Sequence, residues 1–207
     1  MALREILPGV FHWEAVHPSI RVPVGCHYFE PARMLLDPLV PDEGLAWFER
    51  RGPPQHILLT NRLHSRESAR FVEAFGCEVW CNEAGLAHFG EDGEIRGLRV
   101  RGFRPGEPLP GGIESLKVGV LCPDETAFRI PGAGPALAIA DGVVRDGDGP
   151  LVFVPDPLLG DDPEAVKRGL RSAYRRLLAL DWDHLLLAHG HPWIDGAHRA
   201  LADFVGS

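Results

Sequence analysis

The segment "LLTNRLHSRES" (residues 58–68) has the residue types and order of a metal-binding or catalytic loop. An apolar run ends in Thr60 and Asn61, His64 follows, and a helix-like segment comes next. Loops that open from a rigid strand are common places for functional side chains. Most residues at the expected ligand positions are not metal ligands. The loop is therefore an active site, an altered one or one that has lost its metal.

Two later segments also end a strand-like run in a residue that could do chemistry. "PALAIAD" ends in Asp141, and "HLLLAHG" contains His189 directly after a continuous apolar run. Such runs predict strands buried on both faces. Asp156 and His191 lie near similar positions, but Asp156 precedes a proline and His191 follows the strand end, so we expect both in turns or loops.

The elements that must position these residues follow from periodicity and turn chemistry. Short apolar runs broken by Gly and Pro predict strands near the N-terminus and again over about 94–154. Amphipathic spacing predicts helices over residues 41–52, 65–76, 82–90, 161–180 and 196–205. The longest begins with Asp162 as its cap and Pro163 at its first position. Two groups of strands, each followed by helices, predict two mixed sheets packed face to face with helices outside.

Composition excludes several classes of function. The chain has 207 residues, a formal net charge of −8 and no basic stripe, so a nucleic-acid partner is not expected. No apolar run approaches the length of a membrane span, and the N-terminus lacks the apolar core of a signal peptide. We therefore expect one cytoplasmic domain over residues 1–207. The sequence does not indicate the oligomeric state.

Five landmarks in order resemble the metallo-β-lactamase superfamily. They are "LLDP" (35–38), "ILLTNRLHSRESARFVEAFGCEVWCNE" (57–83), "LCPDETAFRI" (121–130), "LAIADGVV" (137–144) and "HLLLAHGHP" (184–192). The resemblance implies an α/β (α+β) fold, a four-layer αβ/βα sandwich best known for metal-dependent hydrolases. The second landmark looks like the segment that carries the signature His-x-His-x-Asp-His after a Thr.

The resemblance places the superfamily's metal ligands, in chain order, on Asn61, Leu63, Ser65, Arg66, Leu121, Asp141 and His189. Only Asp141 and His189 keep a ligand side chain. Leucine has no lone pair to donate, and a protonated arginine repels a divalent cation. The standard two-metal site is therefore not expected here.

His64 lies one residue beyond the second ligand position and leaves two interpretations open. A shifted loop would turn it inward, so that His64, Asp141 and His189 hold one zinc or other divalent ion with a position open for water. Alternatively His64 points outward and starts the next helix. We favour the outward orientation, because a loop seldom changes register cleanly, and accordingly expect no cofactor at full occupancy.

Arg66 suggests how a metal could have been replaced. A buried Asp141 needs a counter-charge, and a guanidinium can pair with a carboxylate through two hydrogen bonds. We therefore expect Arg66 to pair with Asp141, close to His189. Asn61, His64 and Trp193 are the predicted substrate-binding residues, with Trp193 as a wall of the cleft. Asp37 is expected only to form a turn.

Three functions remain open. The favoured one is a catalytically reduced or non-catalytic protein of hydrolase ancestry, in which the remaining cleft binds a small molecule. The second is a one-metal hydrolase of an ester or thioester that uses His64, Asp141 and His189. The third is a metal-free enzyme that holds an anionic substrate through Arg66 and His189, with His189 as acid or base.

Overall fold

The apolar runs of the sequence form strands in the computed structural model, which describes residues 2–132 and 134–206. Met1, Ala133 and Ser207, which the predicted domain includes, lie outside the described residues. The larger sheet consists, in order across the sheet, of β1 (Arg4–Leu7), β2 (Val10–Val16), β3 (Pro23–Phe29), β4 (Met34–Leu36), β5 (His56–Leu58), β6 (Glu78–Asn82) and β7 (Val100–Phe103). The pairs from β1 to β4 are antiparallel, and those from β4 to β7 are parallel.

The second sheet has the spatial order β13 (His184–Leu187), β10 (Ala136–Ile139), β9 (Thr126–Ile130) and β8 (Glu114–Lys117). Strands β10 and β13 are parallel, and the other pairs are antiparallel. A small ribbon pairs β11 (Val143–Val144) with β12 (Val152–Phe153). The predicted mixed sheets are confirmed.

Within the described residues, four α-helices cover the outer faces of the sheets: α1 (Ala46–Arg51), α2 (Ser68–Phe75), α3 (Pro163–Leu177) and α4 (Ala197–Gly206). Asp162 caps α3 by accepting a hydrogen bond from Ala165 N at 2.9 Å, as predicted. The segment 82–90 forms a 3-10 helix (Glu83–His88) rather than an α-helix. None of the described helices is long and apolar enough to cross a membrane.

Three apolar clusters show that the layers are those of an αβ/βα sandwich. One packs the first sheet against α1 and α2 through residues such as Trp13, Phe48 and Phe71. A second fills the space between the sheets, with Met34, Phe128 and Leu186 among its members. The third packs the second sheet against α3 and α4. The predicted fold class is therefore confirmed.

Backbone hydrogen bonds join the two sheets at one edge. Gly25 N in β3 donates to Ala188 O at 2.8 Å, and Thr126 N in β9 donates to Thr60 O at 2.8 Å. Gly25 allows this approach because a Cβ there would lie 2.4 Å from the Leu187 carbonyl oxygen. These bonds bring the loops after β5 and β13 together.

Two imidazoles are buried between the sheets. His12 and His27 are paired in register on β2 and β3, and His12 Nδ1 lies 3.1 Å from His27 Nε2. Burial lowers the pKa of His12 to about 3, with a further contribution from Arg4, and burial also holds the pKa of His27 well below its usual range. The folded chain therefore keeps both rings neutral.

This pair predicts that acid destabilises the fold. Above pH 6.5 both rings are neutral in the folded and unfolded chains, but below it only the unfolded chain takes up their protons. At pH 5, His12 alone lowers the free energy of unfolding by about 2 kcal/mol. Urea unfolding at pH 8 and pH 5 should show a smaller loss in His12→Gln/His27→Gln than in the parent. Equal losses would show that the pair is not responsible.

Candidate metal centre

Three potential metal ligands meet where the loops after β5, β10 and β13 converge. His64, Asp141 and His189 each offer one ligand atom, and these atoms lie within 4.8 Å of one another. This is the one group of three such donors in residues 2–132 and 134–206. Asp141 and His189 occupy the strand ends that the sequence indicated, and His64 joins them.

The donor atoms have the spacing of a metal site. Asp141 Oδ1 lies 3.1 Å from His64 Nε2 and 3.2 Å from His189 Nε2. Two ligands of a tetrahedral zinc ion, bound at about 2.0–2.2 Å, lie roughly 3.3 Å apart. Asp141 Oδ1 is buried, yet neither contact has hydrogen-bond geometry. A cation between these atoms would satisfy all three.

The expected outward orientation of His64 is wrong. Its side chain is 8% exposed, whereas Leu63 is 61% exposed. Asn61 produces this register, because its Oδ1 accepts a hydrogen bond from Leu63 N at 2.8 Å and caps a short 3-10 helix (Arg62–Ser65). That tight turn points Leu63 outward and His64 towards Asp141.

Asp37 holds the His64 ring from behind. Asp37 Oδ2 lies 2.9 Å from His64 Nδ1, and Thr60 donates to both Asp37 oxygens, from its N at 2.9 Å and from its Oγ1 at 2.6 Å. Because a carboxylate can only accept, Nδ1 carries a proton, and Nε2 is the nitrogen whose lone pair is available to a metal ion once the ring is neutral. Asp37 lies in a turn, as expected, but no sequence pattern indicates this contact.

Electrostatics couples the three donors. Burial disfavours the charged form of His64, but Asp141 and Asp37 outweigh it and raise its pKa to about 9. Burial likewise opposes ionisation of Asp141, yet the charges of His64 and His189 hold its pKa well below its usual range. The metal-free site therefore carries a proton where a metal ion would sit.

Arg66 does not pair with Asp141, which corrects the prediction of a substitute counter-charge. Its Nη1 donates to Gly25 O at 2.7 Å and to Asp37 O at 2.6 Å. Asp141 contacts the two imidazoles instead of the guanidinium.

Asn61 contacts the site directly. Its Nδ2 lies 3.4 Å from Asp141 Oδ2, which leaves Oδ1 for the two histidines. Trp193 packs under the Arg145 guanidinium at 4.3 Å and against the core beside α4, and its role as a cleft wall stays a prediction.

Two further residues near the site were not predicted. His17, on the β2–β3 hairpin, accepts hydrogen bonds at Nδ1 from Ser19 N and Ile20 N. Burial lowers its pKa, with contributions from the charges of Arg66, His64 and His189. Glu125 accepts from Val120 N and Leu121 N, and burial raises its pKa to about 7. His17 lies in none of the quoted segments, and Glu125 lies within "LCPDETAFRI" without being predicted as a site residue.

The donor set fits one metal ion and not two. Two imidazole nitrogens and one carboxylate oxygen are the three protein ligands typical of a catalytic zinc site. The five other ligand positions that the resemblance implies hold Asn61, Leu63, Ser65, Arg66 and Leu121. Of these, Leu63 is exposed, the Leu121 side chain has no donor atom and Arg66 is bound to backbone carbonyls. The loss of the standard two-metal site stays a prediction.

The His64–Asp141 contact predicts an unusual titration. In chelator-treated protein, the His64 ring should titrate near pH 9 by NMR, because Asp141 and Asp37 stabilise its charged form. Asp141→Asn removes one of these charges and should lower that pKa. Asp148→Asn, which alters a contact of His191 instead, should leave it unchanged. Titration of His64 near 6.5 in the parent would contradict the geometry.

Comparisons with known proteins identify the fold. No family model and no curated protein matches the sequence. Among solved structures, ST1585 from Sulfolobus tokodaii, described as an archaeal metallo-β-lactamase superfamily protein, matches with a TM-score of 0.70 and 12% identity over 96% of this chain and 85% of its own. TTHA1429 from Thermus thermophilus, described as a metallo-β-lactamase family protein, matches with a TM-score of 0.66 and 15% identity, over 98% and 80%.

TTHA1623, solved in a di-iron-bound form, matches with a TM-score of 0.61 and 23% identity over 97% of both chains. At these identities the likeness establishes architecture. It is consistent with the two mixed sheets and the outer helices of this chain. The chain therefore has the metallo-β-lactamase fold.

Proposed function

We propose that this chain is a one-metal hydrolase that binds a divalent ion through His64, Asp141 and His189. The observation behind the proposal is the position of Asp141 Oδ1, 3.1 and 3.2 Å from two imidazole nitrogens and without a hydrogen bond. A buried oxygen in that state is costly unless a proton or a metal ion is shared between the three groups, and the three donors are the types that a divalent ion takes. The di-iron form of TTHA1623 supports metal binding by this fold.

The residues of the chain prepare this site. Asp37 fixes the tautomer of His64, so that Nε2 points at the site as a lone-pair donor. Asn61 takes up Asp141 Oδ2, which keeps Oδ1 directed at the histidines. A divalent ion held there would supply Lewis acidity towards a carbonyl and a water of lowered pKa.

The cations around the site favour a carboxylic ester or thioester as substrate over a phosphate ester. Arg62 is paired with the buried Asp124 at 2.5 Å, and Arg66 Nη1 is engaged by two backbone carbonyls. Neither offers a free guanidinium fork to a phosphate. The same engagement weakens the alternative in which Arg66 holds an anionic substrate in a metal-free enzyme.

A non-catalytic binding protein is the second candidate function. In its favour, polar groups of the loop after β5 have partners without a metal ion: Asn61 caps its own turn and Arg62 pairs with Asp124. In this case the remaining cleft would bind a small molecule without turnover. Metal content separates the two candidates.

Metal content and hydrolysis are therefore tested together. Chain purified without chelator and incubated with zinc, manganese or iron should retain one metal ion per chain after dialysis. It should then hydrolyse aryl esters or thioesters, because a held ion activates water. His64→Ala and His189→Ala should each lose most of the metal and the activity. His88→Ala, which changes a partly exposed histidine paired with Glu94, should lose neither.

Folded chain that retains no metal under these conditions would contradict the one-metal hydrolase and leave the binding protein. Retention of metal by His64→Ala at the parent level would contradict the assignment of the ligands. Retained metal without turnover of either substrate class would contradict the proposed reaction but not the site.

A further inference from the structure

Arg66 is a junction between parts of the chain that are distant in sequence. Its Nη1 donates to Gly25 O at 2.7 Å and to Asp37 O at 2.6 Å, and lies 3.6 Å from Cys26 Sγ. Its backbone has φ 39° and ψ −118°, a conformation that non-glycine residues seldom adopt. Strain of this kind persists only where surrounding contacts hold it, and it is common near functional sites.

One of the two hydrogen bonds of Arg66 leads to His64. Arg66 binds the carbonyl of Asp37, whose carboxylate binds His64 Nδ1 at 2.9 Å. Asp37 itself has φ 48°, so its orientation also depends on outside contacts. The hydrogen bond from Arg66 therefore helps to aim the carboxylate that fixes the His64 ring.

The other hydrogen bond leads to His189. Arg66 binds the carbonyl of Gly25, and Gly25 N donates across the sheets to Ala188 O at 2.8 Å. Ala188 directly precedes His189. Arg66 Nη1 is thus linked to His64 through Asp37. It is linked to Ala188, the residue before His189, through Gly25.

Neutralisation of charge does not account for Arg66. Within residues 2–132 and 134–206, no carboxylate forms an ion pair with its guanidinium, and its Nη2 is buried without a hydrogen bond. Both hydrogen bonds from Nη1 go to backbone oxygens whose positions decide where the histidines lie. A residue placed only to balance Asp141 would contact that carboxylate.

We propose that Arg66 is a positioning residue that sets the separation and orientation of His64 and His189 without touching the metal. This rests on the proposed function, because the site that it positions is the one-metal site. It also means that a position where the superfamily places a ligand now supports the remaining ligands from outside.

The test compares Arg66→Met and Arg66→Lys with the parent. Methionine keeps an apolar stem but no donor, and lysine keeps the charge on a stem one bond shorter, so that it cannot reach both carbonyls as Nη1 does. Arg70→Met is the matched control, since Arg70 is 55% exposed on α2 and pairs with Glu67 at the surface. Two quantities are measured below the melting temperature of each variant: zinc affinity by competition with a chromogenic chelator, and the His64 tautomer by ¹⁵N NMR without metal at a pH above the His64 pKa of about 9, where the ring is neutral.

We expect Arg66→Met to bind zinc about 10–100-fold more weakly, the loss typical of residues that hydrogen-bond metal ligands from outside. Arg66→Lys should lose affinity in the same direction. Both should show His64 nitrogen shifts that move away from a fixed Nδ1–H form, and Arg70→Met should match the parent. A purely structural role would lower the melting temperature of the metal-free protein but leave both quantities unchanged.

If a folded Arg66→Met has the zinc affinity and the His64 tautomer of the parent, the proposal is overturned. If the methionine variant does not fold, the same result in Arg66→Lys overturns it. If the parent itself binds no zinc, the proposed function fails. The tautomer measured without metal then still decides whether Arg66 positions His64.

Discussion

A carboxylate buried between two imidazoles is the constraint on which the rest of the site depends. Asp141 Oδ1 is closed off from water and faces His64 Nε2 and His189 Nε2. Such a group cannot remain with three electron-rich atoms facing one another, so a proton or a metal ion must lie among them. The raised pKa of His64 means that a proton on its ring meets this requirement when no metal ion is bound.

The fold meets this constraint by joining the two sheets at the site edge. Strand β5, which is parallel to β4, and strand β10, which is parallel to β13, are each followed by a loop at the site. The hydrogen bonds Gly25–Ala188 and Thr126–Thr60 join the two sheets there. Asp37, Asn61 and Arg66 then orient the donors without joining the donor set. The loop after β5 thus keeps its shape through hydrogen bonds from its own side chains.

Much of this architecture could be predicted from the sequence, because it depends on patterns that repeat along the chain. Short apolar runs broken by Gly and Pro and continuous apolar runs predicted the strands, Asp162 and Pro163 marked the start of α3, and strand ends placed Asp141 and His189. His64 could not be oriented from sequence, since its direction depends on which backbone N–H the Asn61 side chain accepts. The partners of Arg66 could not be predicted because they are backbone carbonyls, which every residue type carries. Asp37 was predicted only as a turn residue because the partner of its carboxylate is 27 residues away.

The most direct test of the account is a crystal structure of the zinc-incubated chain with anomalous diffraction recorded on both sides of the zinc edge. A one-metal site should give a single anomalous peak within bonding distance of His64 Nε2, Asp141 Oδ1 and His189 Nε2, with Arg66 still bound to the carbonyls of Gly25 and Asp37. A structure that shows no peak among these atoms, or a zinc ion held while His64 points to solvent, would contradict it.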